Sequence, residues 1–498
     1  MTAPAVLRAE WIKFRTVRGW VAGMLLATLV TVGIALLNHS TCGGTVTPGG
    51  PQVTGVGCAA PPSGPGGQAV TDSYYLVRQP LAARGRITAR ITSLTAGSGP
   101  AGLQPWSKAG IIITAGTRPG AAYAAMMVTA GHGVRMQYDY TGDIAGRPGV
   151  VSAASPRWLR LDRSGDTVTG YQSADGIRWS LVGTVHLAGF PATAQAGLFA
   201  ASPGSAQATS QSLGGGSGSG AMTLATARFD HVALRGAQPG GAWAGSAVGG
   251  PAPGTGFHQA SGIFTVAGAG DIAPYVGDAG GGAGFPVERT LLGAAAGLIA
   301  VIVVAAMFMT AEYRRGLIRV TLAATPRRGQ VLAAKAVVIA SAAFVAGLAG
   351  AIAAVAAEEP LLRARGNFIL PVSAFTEARA VGGTALLLAV AAVLTLALGA
   401  LLRSSAAAVT AVIATLFLPY LLALTALPAG AADWLLRLTP AAAFAIQQTS
   451  PAYPQVSAAY TPGNGYFPLA PGVGFGVLCG YTAVAVLLAV VRLRKRDA

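Results

Sequence analysis

Apolar positions along this chain follow two different rules. Six predominantly apolar runs, Trp20–Leu37, Thr290–Met309, Val331–Ala356, Ala380–Leu402, Ala406–Leu427 and Pro471–Val491, are long enough to cross a bilayer as helices. Between the first and second, the pattern changes to period two from about Ser73 to Leu234. Arg86–Ile91 alternates, and Gly110–Thr114, Tyr123–Val128 and Val134–Tyr140 read as further strands. Trp158–Arg163 and Thr167–Gln172 form a hairpin across Ser164-Gly165-Asp166, and Asp175-Gly176 turns into Ile177–Leu181. Short strands with turn signals every eight to twelve residues or so predict an all-β sandwich.

The expected fold class is therefore an α-helical polytopic membrane protein of six transmembrane helices, with an inserted all-β sandwich. The divisions are 1–38, an interfacial helix and the first span; 39–69, a Gly/Pro-rich linker; 70–236, the sandwich; 237–286, a Gly/Pro-rich tether; and 287–498, the other five spans. A run of Gly and Ser at 213–220 reads as a flexible excursion before the closing strand.

Composition agrees, since 52% of the 498 residues are hydrophobic and only 10% charged. The net charge of +17 would suggest nucleic acid if the basic residues shared one surface. They are instead split between Arg8, Lys13, Arg15 and Arg18, the stretch Thr310–Lys335, and Arg492, Arg494, Lys495 and Arg496. The positive-inside rule then puts both termini and that stretch in the cytoplasm and the sandwich outside, in a plasma-membrane protein with no nucleic-acid partner.

Residues 4–18 read as an interfacial helix, with Leu7, Trp11 and Phe14 as its apolar stripe against membrane lipid. Outside, Cys42 and Cys58 either form a disulfide or stay free thiols in a Gly/Pro-rich loop. Trp158, Tyr171 and Trp179 either stack on a ligand such as a sugar or fill the sandwich core. Asp139, Asp143, Asp162 and Asp166 read as turn acids rather than calcium ligands, so no metal site is expected. Gly19/Gly23, Gly293/Gly297 and Gly472/Gly476/Gly480 have the spacing of close helix contacts.

Motifs for chemistry are missing. No Gly-Lys dipeptide occurs, which excludes a P-loop, and there is no HExxH, Cys-x-x-Cys or G-x-S-x-G. Phe264-Thr265-Val266 followed by Gly268-x-Gly270-x-x-Ala273 imitates a dinucleotide fingerprint. The helix that such a fingerprint needs is precluded by Pro274 and the glycines after it. No catalytic residue is expected, and any energy source must lie on another chain.

The basic stretch Thr310–Lys335 carries six Lys or Arg against one acid, Glu312. Tyr313, Leu317, Val320 and Ala324 recur as a helical stripe, with Arg315 and Arg319 off it; Thr325-Pro326 starts the next helix. With Glu312, Gly316, Leu322, Thr325-Pro326-Arg327-Arg328 and Lys335 in order, the stretch resembles the first cytoplasmic loop of ABC-2 type permeases. These are the membrane subunits of a class of ABC exporters. The resemblance implies that Glu312, Tyr313, Arg314, Arg315, Gly316, Leu317, Arg319, Thr325, Pro326, Arg327 and Arg328 touch an ABC ATPase subunit, which carries the ATP and Mg. It also implies a homodimer or heterodimer of permeases, and outer re-entrant helices in 428–470. The run WSKAGIIITAG and the strands after it resemble laminin-G/concanavalin-like jelly-roll domains, a family that often binds glycans. The alternative to transport is a membrane-anchored ligand-binding or sensor protein with the sandwich as its working end.

Overall fold

The computed structural model describes residues 3–37, 60–97, 102–211, 215–237, 241–276, 285–314, 328–456, 460, 462 and 465–495. Cys42, Cys58 and residues 315–327 lie outside these, and with them the expected disulfide and most of the expected ATPase contact. Eight α-helices are described: α1 (Ala3–Thr16), α2 (Arg18–Leu37), α3 (Gly293–Arg314), α4 (Arg328–Ala364), α5 (Ala374–Leu402), α6 (Ser405–Thr425), α7 (Ala429–Leu438) and α8 (Pro471–Lys495). Among the described residues six segments are long and apolar enough to cross a membrane, and each overlaps one of the six runs read from the sequence.

Helix α5 is the central post of the bundle: 67% of its apolar window is buried, against 22% for α2 and for α6. It starts on the Ser373 cap, whose hydroxyl accepts from the Thr376 N–H, and ends at Arg403 in the left-handed conformation. Helix α4 does not stop at Glu358-Glu359-Pro360 as its acids and proline suggest, but runs through Pro360 to Ala364. Apolar side chains such as Leu25, Leu29, Leu418, Leu421, Leu487 and Leu488 point outward, as lipid-facing residues do. Of the glycine pairs, Gly293 and Gly297 serve contact: a Cβ on either would overlap the Thr31 carbonyl or hydroxyl oxygen of α2. Gly472, Gly476 and Gly480 meet nothing, and Gly474 instead lies against the Ala442 carbonyl.

The inserted region is a sandwich of two seven-stranded sheets. One is ordered β10 (Ser180–His186), β9 (Thr167–Ser173), β8 (Arg157–Ser164), β3 (Arg84–Ala96), β14 (Ala225–Arg235), β17 (Ile263–Gly268), β16 (Gly256–Ala260). The other is β15 (Ala244–Val248), β2 (Tyr74–Leu81), β11 (Ala194–Ala201), β4 (Lys108–Thr114), β5 (Tyr123–Thr129), β6 (Gly133–Tyr138), β7 (Gly142–Ala145). All pairings within them are antiparallel, and the β8–β9 hairpin turns at Gly165-Asp166 as expected. Ile87, Ile91, Leu159 and Leu161 of one sheet meet Val77, Ile111, Met126 and Leu198 of the other. Strand β10 starts at Ser180 rather than Ile177, which is left exposed.

A ribbon of β1 (Val70–Asp72) and β18 (Ile272–Pro274) ties the two ends of the region together. It lies against the outer side of the second sheet, over Tyr74, Leu76, Ile112, Tyr123 and Phe199. Strands β4 and β5 are therefore buried on both faces, which is why KAGIIIT does not alternate. Lys108 of β4 is fully buried; its ammonium meets Asp271 at 2.6 Å and the Ile272 carbonyl at 3.1 Å, fastening the ribbon down.

The expected tether 237–286 is corrected by this arrangement. Strands β15, β16, β17 and β18 supply strands to both sheets and to the ribbon, so the sandwich extends to Pro274. Its glycines belong to turns, with Gly249, Gly254, Gly262 and Gly270 at positive φ, and short strands between such turns resemble a linker in composition. The false dinucleotide fingerprint is β17 followed by β18, with no helix. Part of the Gly/Ser run also pairs, as β13 (Gly215–Ala221) against β12 (Ser205–Gln211). Beyond the sandwich, Phe285 pairs with Ile369, and the buried Gln455 donates to the Thr141 carbonyl at 3.2 Å, joining the sandwich to the bundle.

Because the ribbon closes the region on itself, residues 60–276 are expected to fold as a soluble β domain. Buried Asp72 accepts from Tyr140 Oη and the Gly120 N–H, both at 2.8 Å, yet burial outweighs these bonds and pushes its carboxyl up to about 6 from 3.8. A raised acid pKa means that ionisation costs the folded state. The Asp72 contribution is therefore greatest below about pH 4 and falls by roughly 3 kcal/mol as pH rises to about 6. Urea unfolding across pH 3.5–7 should show this decline, and Asp72→Asn should flatten it.

Candidate functional site

Helix α1 ends at Thr16, and after Val17 the chain turns into α2. The face α1 buries is Val6, Glu10 and Phe14, at successive i, i+4 positions. Of the stripe expected against lipid, Leu7 and Trp11 are 38% and 44% exposed, whereas Phe14 is buried in the bundle. Phe14 packs edge-on to Phe308 of α3 with centroids 5.8 Å apart, and Trp20 does the same at 5.0 Å. A carboxylate on the packed stripe of a helix needs a partner, and Glu10 finds one on α1 itself and one on another helix.

Lys335 of α4 is 1% exposed, and its ammonium lies 2.7 Å from Glu10 Oε2 and 2.8 Å from Glu312 Oε1. The Phe308 ring is 4.6 Å from the same nitrogen, so a third side of the charge faces π electrons. Lys13 completes the group, 2.8 Å from Glu10 Oε1 and 2.9 Å from Glu312 Oε1. Two cations and two anions cancel. Burial works against the charge on Lys13, but its hydrogen bonds to Glu10 and Glu312 prevail and hold its pKa above the usual lysine value.

Glu312 stands in the last described turn of α3, where it is buried. An acid at a helix C-terminus opposes the dipole, and here the two lysines offset that cost. The ring of Tyr313 lies 5.6 Å from the Arg403 guanidinium, and Arg314 ends the helix. Arg328 opens α4; Arg315, Gly316, Leu317, Arg319, Thr325, Pro326 and Arg327 are outside the described residues. The quartet thus clamps α1, α3 and α4 together where α3 and α4 flank the 315–327 segment. Sequence reasoning missed Glu10. The available signal was its place as the one acid among the basic residues before the first span, spaced i, i+4 from Val6 and Phe14.

The sandwich aromatics lie elsewhere. Trp158 and Tyr171 alternate with inward residues and sit half-buried on the outer face of their sheet, so the core-filling alternative does not hold. Arg90 covers Trp158 at 5.6 Å, and Arg160 is 4.1 Å from Tyr171 and 4.7 Å from Trp179. Asp143 and Asp162 pair with Arg135 and Arg86, and Asp139 accepts from the Tyr123 N–H. Among the described residues no cluster of His, Cys, Asp and Glu suits a metal ion.

No family model matches the chain, and no curated protein matches it. Solved structures with local similarity include a GH43 protein from Bacillus licheniformis, 16% identical over 31% of this chain and 28% of that one, with a TM-score of 0.20. The chain spans less than a third of that protein's length. Another is scytalido-glutamic peptidase bound to a transition-state analogue inhibitor, 6% identical over 39% of this chain and 98% of that one, with a TM-score of 0.24. Scores this low carry no argument about fold or function.

Removing one member of the quartet should leave an unbalanced buried charge, at a cost on the order of 3–5 kcal/mol. Glu312→Gln and Lys335→Gln are each expected to lower the thermal stability of the purified protein. The double variant should lose clearly less than the sum, since the two are in direct contact. Additive losses would mean that the pair is not coupled.

Proposed function

We propose that this chain is the permease subunit of an ATP-driven ABC-2 type exporter, forming the translocation path and taking its energy from a separate ATPase chain. The observation that carries the reading is the Glu10–Lys13–Glu312–Lys335 quartet. It makes α1 and the adjoining ends of α3 and α4 one mechanical unit beside the segment that resembles the coupling loop. A push on that segment is passed to two membrane helices and the surface helix together, rather than dissipated in a loop. Closure of paired ATPases would then switch the bundle between two packings. In this reading both termini and the quartet are cytoplasmic, the sandwich is extracytoplasmic, two permeases dimerise, and ATP with Mg is held by the partner.

In mild detergent, the full-length chain expressed in its own host is expected to bring down a protein with a P-loop and no membrane span. Arg315→Glu/Arg319→Glu should reach the membrane but retain at most about a tenth of that partner, as loss of desolvated charge contacts costs roughly 2–5 kcal/mol. Equal recovery with wild type would remove the loop from the docking surface. A wild-type chain that brings down no nucleotide-binding protein in several detergents would favour the sensor reading.

A further inference from the structure

At the sandwich end of the bundle, opposite the quartet, lies an open cleft of about 710 Å³, counting the solvent-open space at its mouth. Phe417 and Tyr420 of α6, Phe444 of the 3₁₀ turn Pro440–Gln447, and Phe467 form its apolar wall. These rings are in mutual contact, Phe417–Phe444 at 5.8 Å, Tyr420–Phe444 at 5.7 Å and Tyr420–Phe467 at 6.3 Å. The polar end is Glu288, which is 7% exposed. Its Oε2 accepts from the Thr449 hydroxyl, while its Oε1 is buried beside Gly465 with no hydrogen-bond partner among the described residues. Two cations are near, but neither neutralises it directly: Arg289 lays its guanidinium over Phe285 at 5.0 Å, and Arg379 donates to the Ile446 and Gln448 carbonyls.

A buried carboxylate oxygen left without a donor is costly, and at the base of an aromatic cleft it calls for a ligand that brings one. We infer that this cleft binds an amphiphile bearing a protonated amine, its ammonium paired with the Glu288 carboxylate and its apolar body against Phe417, Tyr420, Phe444 and Phe467. The rings favour the cation as well as the chain, since an ammonium gains from π faces where an alcohol or an acid does not. Binding stands independently of the export reading; that the amphiphile is cargo rests on that reading.

The test is photolabelling of the full-length protein in nanodiscs, without ATPase, using an octadecylamine that carries a diazirine in its chain. Labels are expected on the four aromatic residues and should be competed by octadecylamine but not by octadecanol or octadecanoate. Glu288→Gln should weaken labelling about tenfold or more, the scale of one hydrogen bond to a charged group. Labelling spread along all lipid-facing helices, or competed equally by the alcohol, would overturn the site using wild-type protein alone. With the ATPase added, ATP-dependent loss of the label supports the cargo role, and retention of a specific label refutes that role while the site stands.

Discussion

Lys335 sits on a helix long and apolar enough to span a membrane, with 1% of its side chain exposed, and water around its ammonium is replaced by two carboxylates and a ring. Burying an isolated ion there would cost several kcal/mol or so, a large share of a small protein's whole stability margin. The charge is tolerated because Glu10 and Glu312 arrive from two different elements and Lys13 balances the second negative charge. That requirement dictates much of the geometry at this end. Helix α1 must lie with Glu10 inward, α3 must continue far enough to present Glu312, and α4 must start early enough to place Lys335 between them.

The same logic operates at the other end with different materials. Lys108 is fully buried in the sandwich and is held by Asp271 in the loop leading into β18, so the charge pair also fixes where the chain leaves the domain. From there Phe285 pairs with Ile369 and the chain enters α3. One continuous path therefore joins the ribbon that closes the sandwich, the cleft around Glu288 and the quartet at the far end of α3. Glu288 and Glu312 lie at opposite ends of a single apolar segment, Val287–Tyr313. A shift of that segment along its axis would disturb both sites together.

Spans and strands were legible in the sequence because lipid and sandwich cores impose simple periodicities. The β8–β9 hairpin was visible down to its turn residues. The strands between Ala244 and Pro274 were hidden because each is short and bounded by the turn glycines that also mark linkers. Phe14, read on the lipid-facing stripe, is buried because hydrophobicity alone does not tell a bundle-facing residue from a lipid-facing one. Glu10 and Glu288 were missed for a deeper reason: Lys335, which pairs with Glu10, and Thr449, which bonds Glu288, are more than a hundred residues away from them, and local pattern carries no record of such pairing. Lys335 was noticed only through resemblance, as a family position without a stated partner.

The central claim is that the quartet holds α1 onto α3 and α4 as one unit. Hydrogen–deuterium exchange on the full-length protein in nanodiscs tests it most directly, comparing wild type with Lys335→Gln. The account predicts slow exchange across Val6–Phe14 in the wild type. In the variant it predicts faster exchange there and in the last turn of α3 together, with the sandwich unchanged. Fast exchange of α1 in the wild type, or an unchanged α1 in a folded variant, would contradict it.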